Sequence, residues 1–182
     1  MRVIAGNLRG RKLQTLEGLD VRPTTDKVKE AIFSAVQFDL YDANVLDLFS
    51  GSGQMGIEAL SRGAEKAVFV DISAKSLNVT RQNIADMNLE NSTVCYQADG
   101  RDFLKTDKSF YNIVFLDPPY GKGILEEVLP LLSERIVSGG KVVCEHEKEL
   151  TLPDKVGSLR VKKRYKYGKI NVTIYINQGE EM

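Results

Sequence analysis

Between residues 45 and 144 the chain alternates short apolar runs with segments of helical character, and this alternation restricts the fold more than any other feature. The runs at 45–49, 66–70, 93–97, 111–116 and 141–144 are rich in Val, Ile, Leu and Phe and too short for helices, so they read as strands. Between them, residues 55–62 (closed by Gly63), 73–87 (capped by Ser73) and 124–135 read as helices, and 101–104 as a short helical turn. Strands joined through helices must lie parallel, and right-handed crossovers put helices on both faces of the sheet. The pattern ends in two alternating runs, 159–165 and 170–176, around Tyr167-Gly168-Lys169. They predict an antiparallel hairpin closing the sheet edge, for an α/β fold of seven mostly parallel strands. Gly139-Gly140 is expected to turn the chain into the fifth strand.

Ahead of this core, residues 1–15 read as a hairpin: Val3-Ile4 begins a strand, Gly6-Asn7 and Gly10 supply turns, and Lys12-Leu13-Gln14 resumes. Residues 18–25 form a loop ending in Arg22-Pro23-Thr24-Thr25, where either threonine caps a helix running to about Phe38. The 182 residues suit one domain, 1–182, with 1–24 as a basic extension. Net charge is zero, but residues 1–16 carry Arg2, Arg9, Arg11 and Lys12 with no acid, so one face can meet a polyanion. A second acid-free basic run, 155–169, falls in the edge hairpin and reads as a solvated surface.

Asp117-Pro118-Pro119-Tyr120 ends the fourth strand. Two prolines in succession stop a helix or central strand, and neither has an N–H. With an acid before them and a ring after, they suit a flat molecule held by its amino group; a plain strand-ending turn is the alternative. Gly51-Ser52-Gly53-Gln54-Met55-Gly56 has the G-x-G-x-x-G spacing between a strand and a helix, where glycine lets a ligand approach the backbone. Asp71 ends the next strand, where an acid holds a ribose diol. Dinucleotide enzymes share that spacing. Asp47, separated from the loop by Leu48, Phe49 and Ser50, instead suits an ammonium group and would face a pyrophosphate poorly. Asp99 follows the third strand within reach of an adenine amino group, with a helix cap as its other reading. All these acids are predicted at the carboxyl ends of strands, where open α/β sheets bind ligands. The expected cofactor is S-adenosylmethionine, contacted by Asp47, Phe49, Ser50, Gly51, Gly53, Asp71 and Asp99, with Ile72 and Gly100 beside the last two.

On these residues the chain resembles the class I, Rossmann-like S-adenosylmethionine-dependent methyltransferases that act on amino groups, whose (D/N)PP(Y/F) motif is met by Asp117-Pro118-Pro119-Tyr120. More narrowly it is similar to the bacterial family that methylates N2 of a guanine in 16S ribosomal RNA. That similarity rests on the opening six residues, on Arg9-Gly10-Arg11-Lys12-Leu13, on Arg22-Pro23-Thr24 leading to Lys27, Glu30 and Phe33, on residues 47–53 and 56–59, and on Tyr165-Lys166-Tyr167-Gly168. Gln54-Met55 departs from the small or aliphatic residues expected there. The resemblance implies catalysis by Asp117, Pro118 and Tyr120, with S-adenosyl-L-homocysteine as product and no metal. It implies RNA contacts from Arg9, Arg11, Lys12, Arg22, Thr24 and Pro119, and an assembled small ribosomal subunit as partner.

Other classes fit less well. A DNA amino-methyltransferase shares the motif, but a separate target-recognition domain has no room here. A non-catalytic RNA-binding assembly factor would not need an intact Asp117, Tyr120 and glycine loop. A dehydrogenase leaves Pro118-Pro119-Tyr120 unexplained. Cys95 and Cys144, both in apolar runs, read as buried thiols of a reducing compartment. His146 is the only histidine and reads as a surface residue, so a hydrolase triad or zinc site lacks its parts. No apolar run approaches the ~20 residues of a membrane span. The expectation is a cytoplasmic monomer.

Overall fold

The structure, a computed structural model, describes residues 1–16 and 26–179. Strands β1 (Asn44–Asp47), β2 (Lys66–Asp71), β3 (Thr93–Gln97), β4 (Tyr111–Leu116) and β5 (Ile136–Glu147) pair parallel with one another. Strands β6 (Lys155–Val156), β7 (Leu159–Tyr167) and β8 (Ile170–Asn177) follow, and β8 pairs antiparallel with both β5 and β7. All eight make one sheet in the order β3-β2-β1-β4-β5-β8-β7-β6.

Side-chain alternation along the parallel strands divides the core. Val45, Phe69, Ile113 and Phe115 face helices α1 (Asp26–Val36), α2 (Gln54–Ser61) and α3 (Ala74–Asp86). Leu46, Val70, Val114 and Leu116 face α4 (Gly100–Thr106) and α5 (Ile124–Leu132). Ser73 caps α3, its side chain accepting from the Ser76 N–H, as its position before the apolar spacing implies. One turn of 3-10 helix, Gln37–Asp39, carries the first helical segment on past Phe38.

The structure corrects four expectations. Among the described residues the sheet has eight strands, not seven, because Gly157-Ser158 folds β6 back onto β7; two residues are too few to show alternation. Gly139-Gly140 lies inside β5 at a register irregularity opposite β4, so β5 begins before these glycines and they are not a turn. His146 is buried at 2% exposure because β5 is an interior strand. Its Nδ1 lies 3.0 Å from the Glu147 carbonyl, which can only accept, so Nδ1 holds the proton and Nε2 accepts from the Thr173 hydroxyl at 2.9 Å. Cys144 is buried, but Cys95 on β3 is only partly so.

The basic N-terminal segment closes as a hairpin through an Arg2–Lys12 antiparallel bridge and is fastened to α2. Glu58, fully buried, accepts the N–H of Ile4 at 2.8 Å and of Ala5 at 3.0 Å, and the Arg62 Nε at 2.8 Å. The equally buried Lys29 ammonium lies 3.5 Å from it and donates to the Arg2 carbonyl. Gly6, at φ +82°, touches the Ser61 carbonyl so closely that a Cβ there would sit 1.8 Å from its oxygen. Any side chain at this position would lift the hairpin away. Glu58→Ala would leave the Lys29 ammonium and two backbone donors without their acceptor, and is expected to cost about 3–5 kcal/mol of stability by chemical denaturation. Glu58→Gln, which keeps an acceptor, should cost less; an unchanged midpoint for both variants would remove Glu58 from this role.

Candidate active site

Because β3, β2, β1 and β4 are adjacent and parallel, their carboxyl ends line one edge and bring Asp99, Asp71, Asp47 and Asp117 to it. The glycine loop runs between the acids. Asp71 accepts the Gly51 N–H at 2.9 Å and the Ser73 N–H at 2.8 Å, which ties the loop to the end of β2. Thr80 donates its hydroxyl to the Gly51 carbonyl at 2.8 Å. Asn83 donates to the carbonyls of Ser52 and Gln14, linking the loop to the N-terminal hairpin. Gly53 has φ +79°, which glycine alone adopts readily. The third glycine of the motif serves packing instead, since a Cβ on Gly56 would come within 2.3 Å of the Phe69 ring. Gly56 therefore lets α2 pack on β2, and its N–H donates to Asp47 Oδ2 at 3.0 Å.

Asp47 is 4% exposed, and burial, reinforced slightly by the Asp71 charge and opposed by the Gly56 N–H, pushes its carboxyl up to about 7. Asp117 is half-buried, and desolvation, then the charges of Glu145 and Asp47, raise it well above the usual carboxylate range. A site this crowded with acids favours a cation, whose charge would draw both carboxyls back down. Ser50 Oγ, just before the loop, and Gln54 Oε1, within it, are buried without a hydrogen-bond partner among the described residues. Unmet polar atoms beside the loop and surplus negative charge together fit a cationic, polar cofactor such as S-adenosylmethionine.

Other expected cofactor residues take varied positions. The Phe49 ring packs over Gly100, where a Cβ would lie 3.0 Å from it. Ile72, 67% exposed at the end of β2, offers an apolar surface to a flat ring. Asp99 is the N-cap of α4, and its carboxylate also holds the Arg101 guanidinium, at 2.9 Å to Nε and 2.7 Å to Nη2. Those contacts hold its carboxyl down to about 2.

In the motif itself Pro118 is buried, while Pro119 and Tyr120 are exposed. The Tyr120 hydroxyl donates to Glu145 Oε1 at 3.0 Å, and the Gly121 N–H donates to Glu147. Asp117 and Glu145 line one opening together with Ile32, Met55 and Val143. Glu145 was not among the expected site residues. Its signal was available, since it closes an apolar strand as Asp47 and Asp71 close theirs, but it reads from the sequence only as a neighbour of His146. On the hairpin, Arg9 and Lys12 are exposed, whereas Arg11 donates to the Asp86 carbonyl at the end of α3. Arg22 and Thr24, with the proposed threonine cap, lie outside the described residues. Among the described residues no group of His, Cys, Asp and Glu is arranged to hold a metal ion.

The family described as "Conserved hypothetical protein 95" matches residues 1–176. A putative rRNA methyltransferase of Bacillus subtilis, YlbH, is 40% identical over 98% of this chain and 100% of its own length. Ribosomal RNA small subunit methyltransferase D of Escherichia coli K12 is 32% identical over 99% of this chain and 91% of its own. Among solved structures, a putative methyltransferase from Escherichia coli, yhhF, superposes with a TM-score of 0.90 at 30% identity, covering 99% of both chains.

Proposed function

The chain belongs to the Conserved hypothetical protein 95 family, and from that membership we propose that it methylates the exocyclic N2 amino group of a guanine in 16S ribosomal RNA, using S-adenosylmethionine. One observation carries the reading: Asp117-Pro118-Pro119-Tyr120 opens onto the same sheet edge as the glycine loop, Asp47 and Asp71. An amino-group holder thus stands beside a nucleoside-cofactor site.

S-adenosylmethionine supplies an electrophilic methyl group on a cationic sulfur. Asp47 suits its ammonium, Asp71 its ribose diol, and Ile72 its adenine face. The amine of a base is a poor nucleophile because its lone pair is delocalised into the ring. Asp117 and the Pro118 carbonyl accept the two amino hydrogens, favour a pyramidal nitrogen, and aim its lone pair at the methyl carbon. Transfer of the methyl group, with S-adenosyl-L-homocysteine as the leaving group, would make the amine acidic, and it would then lose a proton. Asp117, whose buried carboxyl binds protons more tightly than an exposed one, is placed to receive it. Tyr120 stacks on the base, worth about 1–3 kcal/mol in single-strand recognition, and the base must leave its own stack to reach it. Pro119 shares the exposed rim.

Arg9 and Lys12 on the hairpin supply phosphate contacts, with Arg22 and Thr24 as further candidates. The substrate is the assembled small subunit, and the protein acts as a monomer in the cytoplasm. Among the described residues no helix is long and apolar enough to cross a membrane. The test is tritiated methyl transfer to small-subunit particles, and separately to free rRNA, from cells lacking this protein, followed by nucleoside analysis. N2-methylguanosine formed on particles is the expected result; another methylated nucleoside, or none, overturns the reading.

A further inference from the structure

A motif that holds an amino group does not by itself choose among adenine, cytosine and guanine, which all carry one. The difference lies in the ring atom next to the amine. In adenine and cytosine it is a nitrogen with a lone pair, an acceptor. In guanine it is N1–H, a donor, so that guanine alone presents donors at both neighbouring positions of its Watson–Crick edge. A pocket selective for guanine therefore needs a second acceptor beside the one that takes the amine, and an ionised carboxylate repels the lone pair of the wrong bases.

We propose that Glu145 is that second acceptor: its carboxylate, beside Asp117 in the shared opening, takes guanine N1–H and makes the site selective for guanine. The proposal rests on the functional reading above and deepens it. Three features carry it. Glu145 stands at the carboxyl end of β5, the strand paired with the one that delivers Asp117. It is 7% exposed, so its carboxylate faces the opening from a depth where water competes little for a ligand's N–H. It lines two openings, one shared with Asp117 and one with Pro118, Pro119 and Tyr120, and the Tyr120 hydroxyl donates to its Oε1. The ring that stacks on the base thus also orients the group that reads its edge.

The probe is 2-aminopurine, placed at the mapped target nucleotide in reconstituted small-subunit particles. It keeps the 2-amino group that receives the methyl but presents a lone pair at N1. The wild-type enzyme is expected to prefer guanine by about 10²-fold or more in kcat/KM, as sites built around a donor reject analogues that lack it. Glu145→Gln carries an amide that donates to that lone pair, and should narrow the preference at least about tenfold. Retained S-adenosylmethionine binding in calorimetry would show its fold to be intact. Tyr120→Phe should lose rate while keeping a larger guanine preference than Glu145→Gln. An unchanged preference in Glu145→Gln overturns the proposal and leaves Glu145 as a support for Tyr120. So does a wild-type enzyme that uses 2-aminopurine within about threefold of guanine, a result that needs no variant to fold. If the wild-type enzyme forms no N2-methylguanosine on native particles, the functional reading itself has failed, and the proposal with it.

Discussion

Asp117→Ala is expected to bind S-adenosylmethionine nearly as well as the wild-type protein and to transfer methyl groups about 10³-fold more slowly or worse. Two contributions disappear together. One is the acceptor that shapes and aims the amine, since preorganised polar contacts of this kind are worth about 10²–10³ in kcat. The other is the proton acceptor, which contributes about 10²–10⁴ in general-base catalysis. The two overlap in one carboxylate and do not simply multiply. Single-turnover transfer to small-subunit particles measures the loss, and calorimetry with the cofactor measures what is retained. Turnover within a few-fold of wild type would take Asp117 out of the reaction. A pH profile sharpens the test. Only the ionised carboxylate accepts both from the amine and from its leaving proton, so activity should rise with pH through the raised Asp117 titration. Its acid limb should stand well above the ordinary carboxylate range, because burial, Glu145 and Asp47 all disfavour the charge. Removing one of those charges in Glu145→Gln should move the limb to lower pH.

Asp47→Asn is expected to make the protein more stable and nearly unable to hold its cofactor. In the folded chain Asp47 titrates at about 7 against a reference of 3.8, so between those values the native state keeps a proton that the unfolded state has released. Stability from this group is therefore greatest near pH 4 and falls as pH rises to 7, by roughly 4 kcal/mol in total. Asparagine keeps the acceptor for the Gly56 N–H and abolishes the titration. The variant should thus melt about 8–16 °C higher than wild type at pH 8, with the gap closing towards pH 4. Differential scanning calorimetry across that range checks it, and superimposable melts at pH 8 would refute it. Cofactor affinity should move the other way, weakening about 10²-fold through loss of a buried charge-assisted contact to the ammonium. In the wild-type protein the same affinity should strengthen as pH rises through about 7.

Much of this architecture is legible in the residues because it rests on local rules. Runs such as Val45-Leu46 and Ile113-Val114 split cleanly between the two cores, and acids closing parallel strands necessarily share an edge. Features that depend on which strand is interior, or on distant partners, are not. His146 and Glu145 are buried on a strand that lies inside the sheet, between β4 and β8. Arg11 reads as a free cation until Asp86 is found beside it, 75 residues away. Asp99 is open to both of its readings in sequence, and the cap becomes visible only once Arg101 turns back onto it. Gly56 looks like part of the ligand loop, yet Phe69 on the neighbouring strand explains it as packing.

The fastening of the hairpin also sets an order of events during translation. Ile4 and Ala5 are made before Glu58 and must wait for it, Gln14 waits for Asn83, and Arg11 for the end of α3. Contacts that close such long loops are made late, after the local helices have formed. Until then the nascent chain trails Arg9, Arg11 and Lys12 on an untethered arm amid the RNA of the ribosome that is making it. In the folded protein Arg11 stays exposed but is tied to the carbonyl at the end of α3, and Arg9 and Lys12 stand exposed on a hairpin that Glu58 has fastened.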